Sequence, residues 1–271
     1  MEISKVLPWE YFFLRKCPEV KREISFDFFR YKYAKVKIHN KLLMIWQLDR
    51  FDLDISYINE VFFINGLNEK EQTIFKNNSI KKNSINTLKF VYEGKDDIMD
   101  DLTSHGFYKS DANIIMKLSL EGKNFEVNDN NISFRQFIKG KDDKKRCDIQ
   151  NEVFYDPDRI PLTPRDIAYE YSKSFFIDDM ALFITINGKE IGYGQILILD
   201  GNYTIANLGV LKKYQGKGYG KKLLAKFLNL AKEKGLTEVS IRVKESNKIA
   251  YNMYKSFGFK EVSKINSYEI L

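Results

Sequence analysis

The sequence contains few of the residues that build covalent cross-links and metal centres. It has two cysteines, Cys17 and Cys147, which lie far apart and show no metal-ligand spacing. This pattern argues against a disulfide framework and favours a reducing cytoplasm. The two histidines, His39 and His105, have no sequence partners that indicate a metal site or a catalytic triad. We therefore expect no bound metal and a cytoplasmic location.

Long apolar runs are also missing from the sequence. A membrane-spanning helix needs about 18 consecutive apolar residues, and no run in this chain reaches that length. The amino-terminal segment has no basic region followed by an apolar core, because Glu10 and Arg15 interrupt it. A signal peptide is therefore not indicated, and we expect no membrane contact.

Positive charge predominates, with 44 Lys and Arg against 37 Asp and Glu, a net charge of +7 and a sequence pI near 9.0. Such a balance permits an acidic partner, either a polyphosphate cofactor or a nucleic acid, without selecting one. The lysines are scattered among Asn and Ile rather than gathered into a patch. The aromatic residues of the first half could form a base-stacking platform, but core packing accounts for them better. We therefore do not expect nucleic acid as a partner.

The second half of the chain has the clearest pattern of secondary structure. Three apolar, β-branched segments over 182–186, 190–199 and 203–211 are separated by Asn187-Gly188 and Asp200-Gly201. Both dipeptides are typical of tight hairpin turns. The sequence therefore predicts an antiparallel meander of three strands.

A strand–helix–strand unit includes the third of these strands. Apolar residues repeat with helical spacing over 219–234 and again over 248–257, and residues 239–243 alternate as in a half-buried strand. A short crossover of this kind pairs its two strands in parallel. The strand that ends near Leu211 and the strand that begins at Val239 should therefore be parallel neighbours.

The connection between the third strand and the first of these helices is rich in glycine: Gln215-Gly216-Lys217-Gly218-Tyr219-Gly220. Glycine permits a sharp turn and a close approach of a ligand to the backbone. The first N–H groups of the helix have no partner inside it and lie at its partly positive end. This glycine turn therefore predicts a site for a phosphate or pyrophosphate.

The first half repeats this order of elements in a weaker form, which predicts an internal duplication. Ser104-His105-Gly106-Phe107 resembles Ser256-Phe257-Gly258-Phe259, and each closes a strand–helix–strand–helix pattern. Gly66-Leu67-Asn68-Glu69 takes the place of the glycine turn. The polar stretch 122–131 is the expected boundary between two domains, 1–125 and 132–271. The expected elements of the first half are strands at 33–38, 42–47, 61–64, 88–92 and 112–120 and helices at 69–82 and 96–104.

Two motifs at a definite separation carry a family resemblance. The first is Gln-x-x-Gly-x-Gly at 215–220, and the second is Asn-x-x-Ala-x-x-x-Tyr-x-x-x-Gly-Phe at 247–259. On this order of strands and helices they resemble the GCN5-related N-acetyltransferase (GNAT) superfamily. The duplicated layout is similar to two-domain members such as mycothiol synthase. The resemblance implies an α/β (α+β) fold of two GNAT-like domains, each a mixed, mostly antiparallel twisted sheet flanked by helices.

The resemblance also implies acetyl-coenzyme A (acetyl-CoA) as the acyl donor. The backbone of Leu208, Gly209 and Val210 should bind the pantetheine arm, and Asn247 should contact the same region from the end of the next strand. Tyr254 should lie beside the sulfur and protonate the departing thiolate, because a tyrosine with a pKa of about 10 is protonated at pH 7. The pyrophosphate should be held at the glycine turn by Gln215, Gly216, Lys217, Gly218, Tyr219, Gly220 and Lys221.

The sequence does not identify a general base for this reaction. An amine with a pKa of about 10 must lose a proton before it attacks. Residues 203–211 contain no Asp or Glu, and Arg242 stands where some relatives carry Glu. Asp178, Asp179, Glu245 or a chain of water molecules remain as candidates. Arg242 could instead attract an acidic substrate.

The sequence therefore predicts an N-acetyltransferase in which a primary amine, from a small molecule or a peptide, attacks acetyl-CoA directly in a ternary complex. The assembly is expected to be a monomer or a homodimer. Two other functions stay open, a non-catalytic acyl-CoA-binding regulator and a nucleic-acid-associated acetyltransferase. Asn247 also has an alternative interpretation as a helix cap.

Overall fold

The computed structural model describes residues 2–7, 9–14, 16, 32–38, 40–48, 55–66, 68, 70, 87–93, 99–127, 129, 131–156 and 161–270. In chain order the elements are β1 (Glu2–Lys5), α1 (Tyr11–Leu14), β2 (Lys32–Ile38), β3 (Lys41–Leu48), β4 (Ile55–Phe63), β5 (Thr87–Glu93), α2 (Met99–Ser104), β6 (Tyr108–Ser119), β7 (Ile132–Gln136), α3 (Asp143–Val153), α4 (Pro164–Tyr171), β8 (Phe176–Ile186), β9 (Lys189–Leu199), β10 (Asn202–Val210), α5 (Tyr219–Glu233), β11 (Glu238–Lys244), α6 (Lys248–Ser256) and β12 (Lys260–Ile270). The helix expected at 69–82 lies outside the described residues.

The chain forms two compact units that do not correspond to a single cut in the sequence. The first comprises residues 1–113, 244–246 and 263–271, and the second comprises 114–243 and 247–262. Three strands, β6, β11 and β12, are therefore divided between the units. The domain limits 1–125 and 132–271 stay a prediction.

The first unit has a sheet with the strand order β1-β2-β3-β4-β5-β12. β1 to β4 pair antiparallel in sequence, whereas β4 and β5 pair in parallel. β12 pairs antiparallel with β5 from Ile265 to Ile270. The core of this unit includes the buried side chains of Trp46, Phe107 and Tyr268.

The second unit has a sheet with the strand order β6-β11-β10-β9-β8-β7. β7 to β10 form an antiparallel meander, and β10 pairs in parallel with β11. The structure thus confirms the predicted three-stranded meander and the predicted parallel pair. Asn187 and Asp200 at the two hairpin turns have positive φ angles of 49° and 50°, as tight primed turns require.

Helices cover both faces of the second sheet. Ile196 on β9 lies in a core with Leu223 and Phe227 of α5, whereas Tyr193 on the same strand lies in a core with Ile149 of α3 and Ile167 of α4. This alternation follows from the two-residue period of a strand. The fold is the predicted mixed α/β architecture with helices flanking the sheets.

The two units repeat one local arrangement of strands. β4 pairs in parallel with β5 as far as Ile58, and its antiparallel pairing with β3 shifts register between Ile58 and Glu60. β10 pairs in parallel with β11 as far as Ile205, and its pairing with β9 shifts register between Ala206 and Gly209. This repetition is what an internal duplication would produce.

The sequence did not predict α3, because its sheet-facing side includes polar residues. Asp143, Arg146 and Gln150 are buried together with Cys147 and Ile149, so the helix shows no clear apolar stripe. The amino end of α4 does carry a sequence signal. Thr163 and Asp166 form a capping box on either side of Pro164, the first residue of the helix. In the part of the chain that the structure describes, no helix is long and apolar enough to cross a membrane.

Candidate active site

The parallel pairing of the neighbouring strands β10 and β11 stops before their carboxyl ends, and the gap expected between these ends is called the cleft below. The two strands pair at Thr204–Ser240 and Ile205–Ile241, yet β10 continues to Val210. The bulge between Ala206 and Gly209 contains Asn207 at φ 54° and takes this part of β10 out of the regular ladder. Residues 206–209 are half-buried rather than sealed, so a ligand in the cleft can reach their backbone.

Close packing keeps the bulge in place. A Cβ atom at Gly209 would lie 2.2 Å from Cγ1 of Val153, at the end of α3. A Cβ atom at Gly192 on β9 would lie 2.5 Å from the carbonyl oxygen of Gly209. Both distances are far below van der Waals contact, so both positions need glycine. Helix α3 and strand β9 therefore fix the position of the predicted pantetheine-binding segment, Leu208 to Val210.

The glycine turn follows β10 and faces open space. Gly216 and Gly218 have φ angles of 74° and 82°, and a Cβ atom at either would meet nothing within 4 Å. Helix α5 begins after Gly218 without a side-chain cap, so its first N–H groups remain for solvent or a ligand. Open space, left-handed glycines and an uncapped helix start fit the diphosphate of a coenzyme A molecule.

The other predicted residues of the turn have separate positions. The side-chain Nε2 of Gln215 donates to the carbonyl oxygen of Val210 at 2.9 Å and so fixes the turn to the strand. Lys217 and Lys221 are exposed, and the half-buried Tyr219 contacts the ring of Tyr214. A Cβ atom at Gly220 would lie 3.7 Å from Sδ of Met253, which places the start of α5 against α6.

Tyr254 lies on α6, one residue after this contact. Its side chain is 6% exposed and packs against the ring of Phe259. Burial raises the pKa of Tyr254 to about 12, so its hydroxyl holds a proton at neutral pH. Among the described residues, none forms a hydrogen bond with this hydroxyl. The proton-donor role of Tyr254 stays a prediction.

Asn247 caps α6. Its Oδ1 accepts a hydrogen bond from the backbone N–H of Ala250 at 3.1 Å. The structure therefore confirms the capping interpretation. The amide Nδ2 remains as the group with which Asn247 could contact a ligand.

The carboxylates that the sequence offered as general bases are all in ion pairs. Asp178 pairs with Lys139, Asp179 pairs with Lys234, and Glu245 pairs with Lys264 at 2.8 Å. Arg242, the alternative attractor for an acidic substrate, pairs with Asp200. None of these contacts identifies a base.

A buried polar cluster that sequence patterns do not reveal lies between α3, α4 and β9. It consists of Arg146, Gln150, Glu170, Tyr193 and Gln195 and is called the Arg146 cluster below. Its members are 4 to 49 positions from Arg146 along the chain, so only the tertiary structure brings them together. The spacing of Arg146, Ile149 and Gln150, which share the buried face of α3, is the sequence feature that could have indicated this cluster. Within the described ranges, the structure shows no group of three or more His, Cys, Asp or Glu side chains that could hold a metal.

Comparison with known proteins supports this description of the second unit. Residues 146–259 match the acetyltransferase (GNAT) family. The chain is 37% identical over 76 residues to a [ribosomal protein bS18]-alanine N-acetyltransferase of Haemophilus influenzae, which covers 28% of this chain and 51% of that protein. It is 30% identical over 135 residues to a mycothiol acetyltransferase of Stackebrandtia nassauensis, which covers 47% of this chain and 44% of that protein. The chain thus spans about half the length of the curated relatives it matches.

The likeness of fold extends over nearly the whole chain. The crystal structure of a GCN5-related N-acetyltransferase from Sphaerobacter thermophilus superposes with a TM-score of 0.63, covering 99% of this chain and 94% of that one. The sequence identity of that pair is 13%, so this comparison concerns the fold alone. Together with the motifs of the second unit, these matches show that residues 146–259 are similar to the acetyltransferase (GNAT) family.

Proposed function

We propose that this protein is an N-acetyltransferase that transfers an acetyl group from acetyl-CoA to a primary amine. The observation that carries the proposal is the cleft between β10 and β11, which leads to a glycine turn in front of an uncapped helix. Two of the matched relatives are named as acetyltransferases, one a [ribosomal protein bS18]-alanine N-acetyltransferase and the other a mycothiol acetyltransferase. The first of these names specifies transfer to nitrogen, which favours an amine acceptor for this chain.

The residues present fit acetyl-CoA as the cosubstrate. The N–H groups of Gly216 to Lys221 would hold its diphosphate, and the backbone of Leu208 to Val210 would hold its pantetheine arm. Bound acetyl-CoA supplies an activated thioester carbonyl. Lys217 and Lys221 are exposed, so their attraction for phosphate is screened and each adds little.

Tyr254 holds the proton that the departing thiolate needs. A donor placed where negative charge develops lowers the barrier to thiolate departure. The raised pKa of Tyr254 keeps the phenol protonated throughout the neutral range. The cleft in turn holds both reactants in one orientation, which supplies much of the acceleration.

The proposal is tested by the thermal stability of the protein with acetyl-CoA and by release of free thiol with amines. A ligand at 100 times its Kd adds about 2.7 kcal/mol to the stability of the folded state, so saturating acetyl-CoA should raise Tm clearly. Gly218→Asp should abolish that rise, because it puts a side chain and a negative charge in the turn. Gly188→Asp is the matched control, since Gly188 is also a left-handed glycine in open space, at φ 73°, but in a distant hairpin. An equal rise in Tm for both variants would contradict the proposed diphosphate site.

A second candidate function is a non-catalytic acyl-CoA-binding regulator. The observation that favours it is the ion pairing of Asp178, Asp179 and Glu245, which leaves the reaction without an evident base among them. A rise in Tm with acetyl-CoA, together with no release of thiol across a broad set of amines, would favour the regulator. Release of thiol that depends on the amine would exclude it.

A further inference from the structure

We propose that Glu170 receives the positively charged amine of the acceptor at the open edge of the cleft. This inference rests on the proposed acetyltransferase function and adds to it the residue that selects the acceptor. It also narrows the acceptor class to amines that are protonated before they bind.

Glu170 is held rigidly and still has room for one more partner. Its Oε1 accepts from Nη2 of Arg146 at 2.7 Å and from Nε2 of Gln195 at 2.8 Å. Its Oε2 accepts only from the same Nη2 of Arg146, at 2.8 Å. Each carboxylate oxygen can accept two hydrogen bonds, so Oε2 has a lone pair left over. The side chain of Glu170 is 21% exposed, so this carboxylate is not sealed from the exterior.

The supports of Glu170 are themselves fixed. The hydroxyl of Tyr193 donates to Oε1 of Gln195 at 2.6 Å, which orients the Gln195 amide towards Glu170. The guanidinium of Arg146 lies 4.8 Å from the centre of the Tyr193 ring and 5.6 Å from that of Phe137. A carboxylate with such neighbours is preorganised to bind a donor without further ordering.

Stability does not explain this cluster. The Arg146 side chain is fully buried, yet its Nε and Nη1 have no hydrogen-bond partner within the described part of the chain. The amide of Gln150 is 1% exposed and lacks a partner at both Nε2 and Oε1. Each unsatisfied buried polar group lowers the stability of the folded state, and buried ion pairs often stabilise less than apolar residues of the same volume. An arrangement so costly to the fold is expected at a functional site.

The strand register brings the cluster to the cleft. Gln195 on β9 is paired directly with Ala206 on β10. Ala206 packs with the residues beneath α3 and α4, so its side chain is on the same face of the sheet as the cluster. It is also the first residue of β10 after the parallel pairing with β11 stops at Ile205. Glu170 is bound to Gln195 on β9, and β9 is the strand next to the point on β10 where the cleft begins.

The charge of this position selects the acceptor. Arg146 and Glu170 neutralise each other, so the cluster has no net charge, but the free lone pair belongs to the carboxylate. A protonated amine can donate to it, whereas a carboxylate or phosphate on the acceptor would meet repulsion. We therefore expect cationic primary amines to be preferred over aromatic amines, which are uncharged at pH 7.

The test compares Glu170→Gln with the unaltered chain in release of thiol from acetyl-CoA. The acceptors are an alanine-first tetrapeptide, spermidine and glucosamine as cationic amines and aniline as an uncharged one. A hydrogen bond to a charged group contributes about 1.5–3 kcal/mol, so kcat/KM should fall about 10- to 100-fold for the cationic amine that is turned over. The effect on aniline should be much smaller, and the rise in Tm with acetyl-CoA should persist. Glu152→Gln, an exposed glutamate on α3, is the matched control and should change nothing.

Because Glu170→Gln leaves the buried Arg146 without a charge partner, it could unfold the protein. The double variant Arg146→Met, Glu170→Gln removes both charges and should give the same selective loss with cationic amines. If kcat/KM falls equally for cationic and uncharged amines, or does not fall while the unaltered chain is active, the role of Glu170 is overturned but the proposed function is not. Failure of the unaltered chain to release thiol with any acceptor would overturn the proposed function and this role with it.

Discussion

Tyr254 shows how burial can adapt an ordinary side chain to a chemical task. Its ring is part of the core, and its hydroxyl has no partner among the described residues. Removal from water disfavours the charged phenolate, which is why its pKa rises to about 12. The same burial that anchors the side chain therefore preserves the proton that a leaving thiolate would take.

At the residue scale, Tyr254→Phe should lower kcat while leaving the affinity for acetyl-CoA nearly unchanged. A positioned general acid contributes about 10²- to 10⁴-fold, and kcat for release of thiol is the measurement. Tyr251→Phe is the matched control, because Tyr251 lies on the same helix and its hydroxyl is bonded to Glu261. An equal fall in both variants would show that the ring environment matters rather than the proton of Tyr254.

The same substitution should change how stability depends on pH. The folded-state pKa of Tyr254 is above its ordinary value of 10.0, so its contribution is complete below pH 10 and is lost as the pH rises to about 12. The size of the loss is about 2–3 kcal/mol, at about 1.4 kcal/mol per unit of pKa. Burial also raises the pKa of Tyr193, so part of the alkaline loss should survive in Tyr254→Phe. Urea unfolding at pH 9, 10 and 11 gives the free energy of unfolding of the unaltered chain and of Tyr254→Phe. The same dependence of that free energy on pH in both proteins would contradict the prediction.

At the scale of elements, the contact between α3 and the bulge of β10 decides the shape of the cleft. Gly209→Ala should destabilise the fold by about 1–3 kcal/mol, because its Cβ atom would overlap Val153. The double variant Gly209→Ala, Val153→Ala should recover much of that loss, since it removes the atom in the way. Denaturant unfolding of both variants measures the effect.

Gly66→Ala is a suitable control for this experiment, since no atom lies within 4 Å of its Cβ position and its φ is not left-handed. A loss at Gly209 that Val153→Ala does not reduce would show that α3 does not confine the bulge. The acetyl-CoA shift in Tm of the double variant would then report whether the pantetheine segment keeps its shape.

Sequence patterns predicted the elements of the cleft well but not its neighbours. The meander, the crossover and the glycine turn depend on local spacing and on dipeptides such as Asn187-Gly188, which a sequence displays directly. The Arg146 cluster depends on side chains that meet only after α3 and α4 pack on β9. Its polar residues also obscured the helical pattern of α3, so the element and its chemistry were missed together.

At the scale of the whole molecule, the last strand belongs to both units. Residues 263–271 are part of the first unit, where Tyr268 is 1% exposed in the core, although the chain reaches them after completing the second. Removing residues 263–271 should therefore destabilise the first unit, because β5 loses its antiparallel partner and becomes an unpaired edge. The second unit keeps all the residues of the glycine turn and α6 in such a variant.

Limited proteolysis and the Tm shift with acetyl-CoA measure this outcome. We expect rapid cleavage within residues 1–113 and a retained shift for the remainder. The substitution Tyr268→Phe, which keeps the strand and the ring, is the control. Equal resistance of both halves to the protease would show that β12 is dispensable for the first unit.

The sequence alone determined the order of strands and helices over residues 182–257, the position of the glycine turn and the resemblance of this part of the chain to the GNAT family. These features follow from periodicity and from residues with special backbone preferences, both of which act over a few positions. Tertiary structure alone decided that Gln215 and Asn247 make hydrogen bonds within the fold, that the expected bases are in ion pairs, and that Glu170 is bound by Arg146 and Gln195. The ion pairs and the partners of Glu170 depend on side chains distant in sequence, and only the packed chain brings such partners within reach.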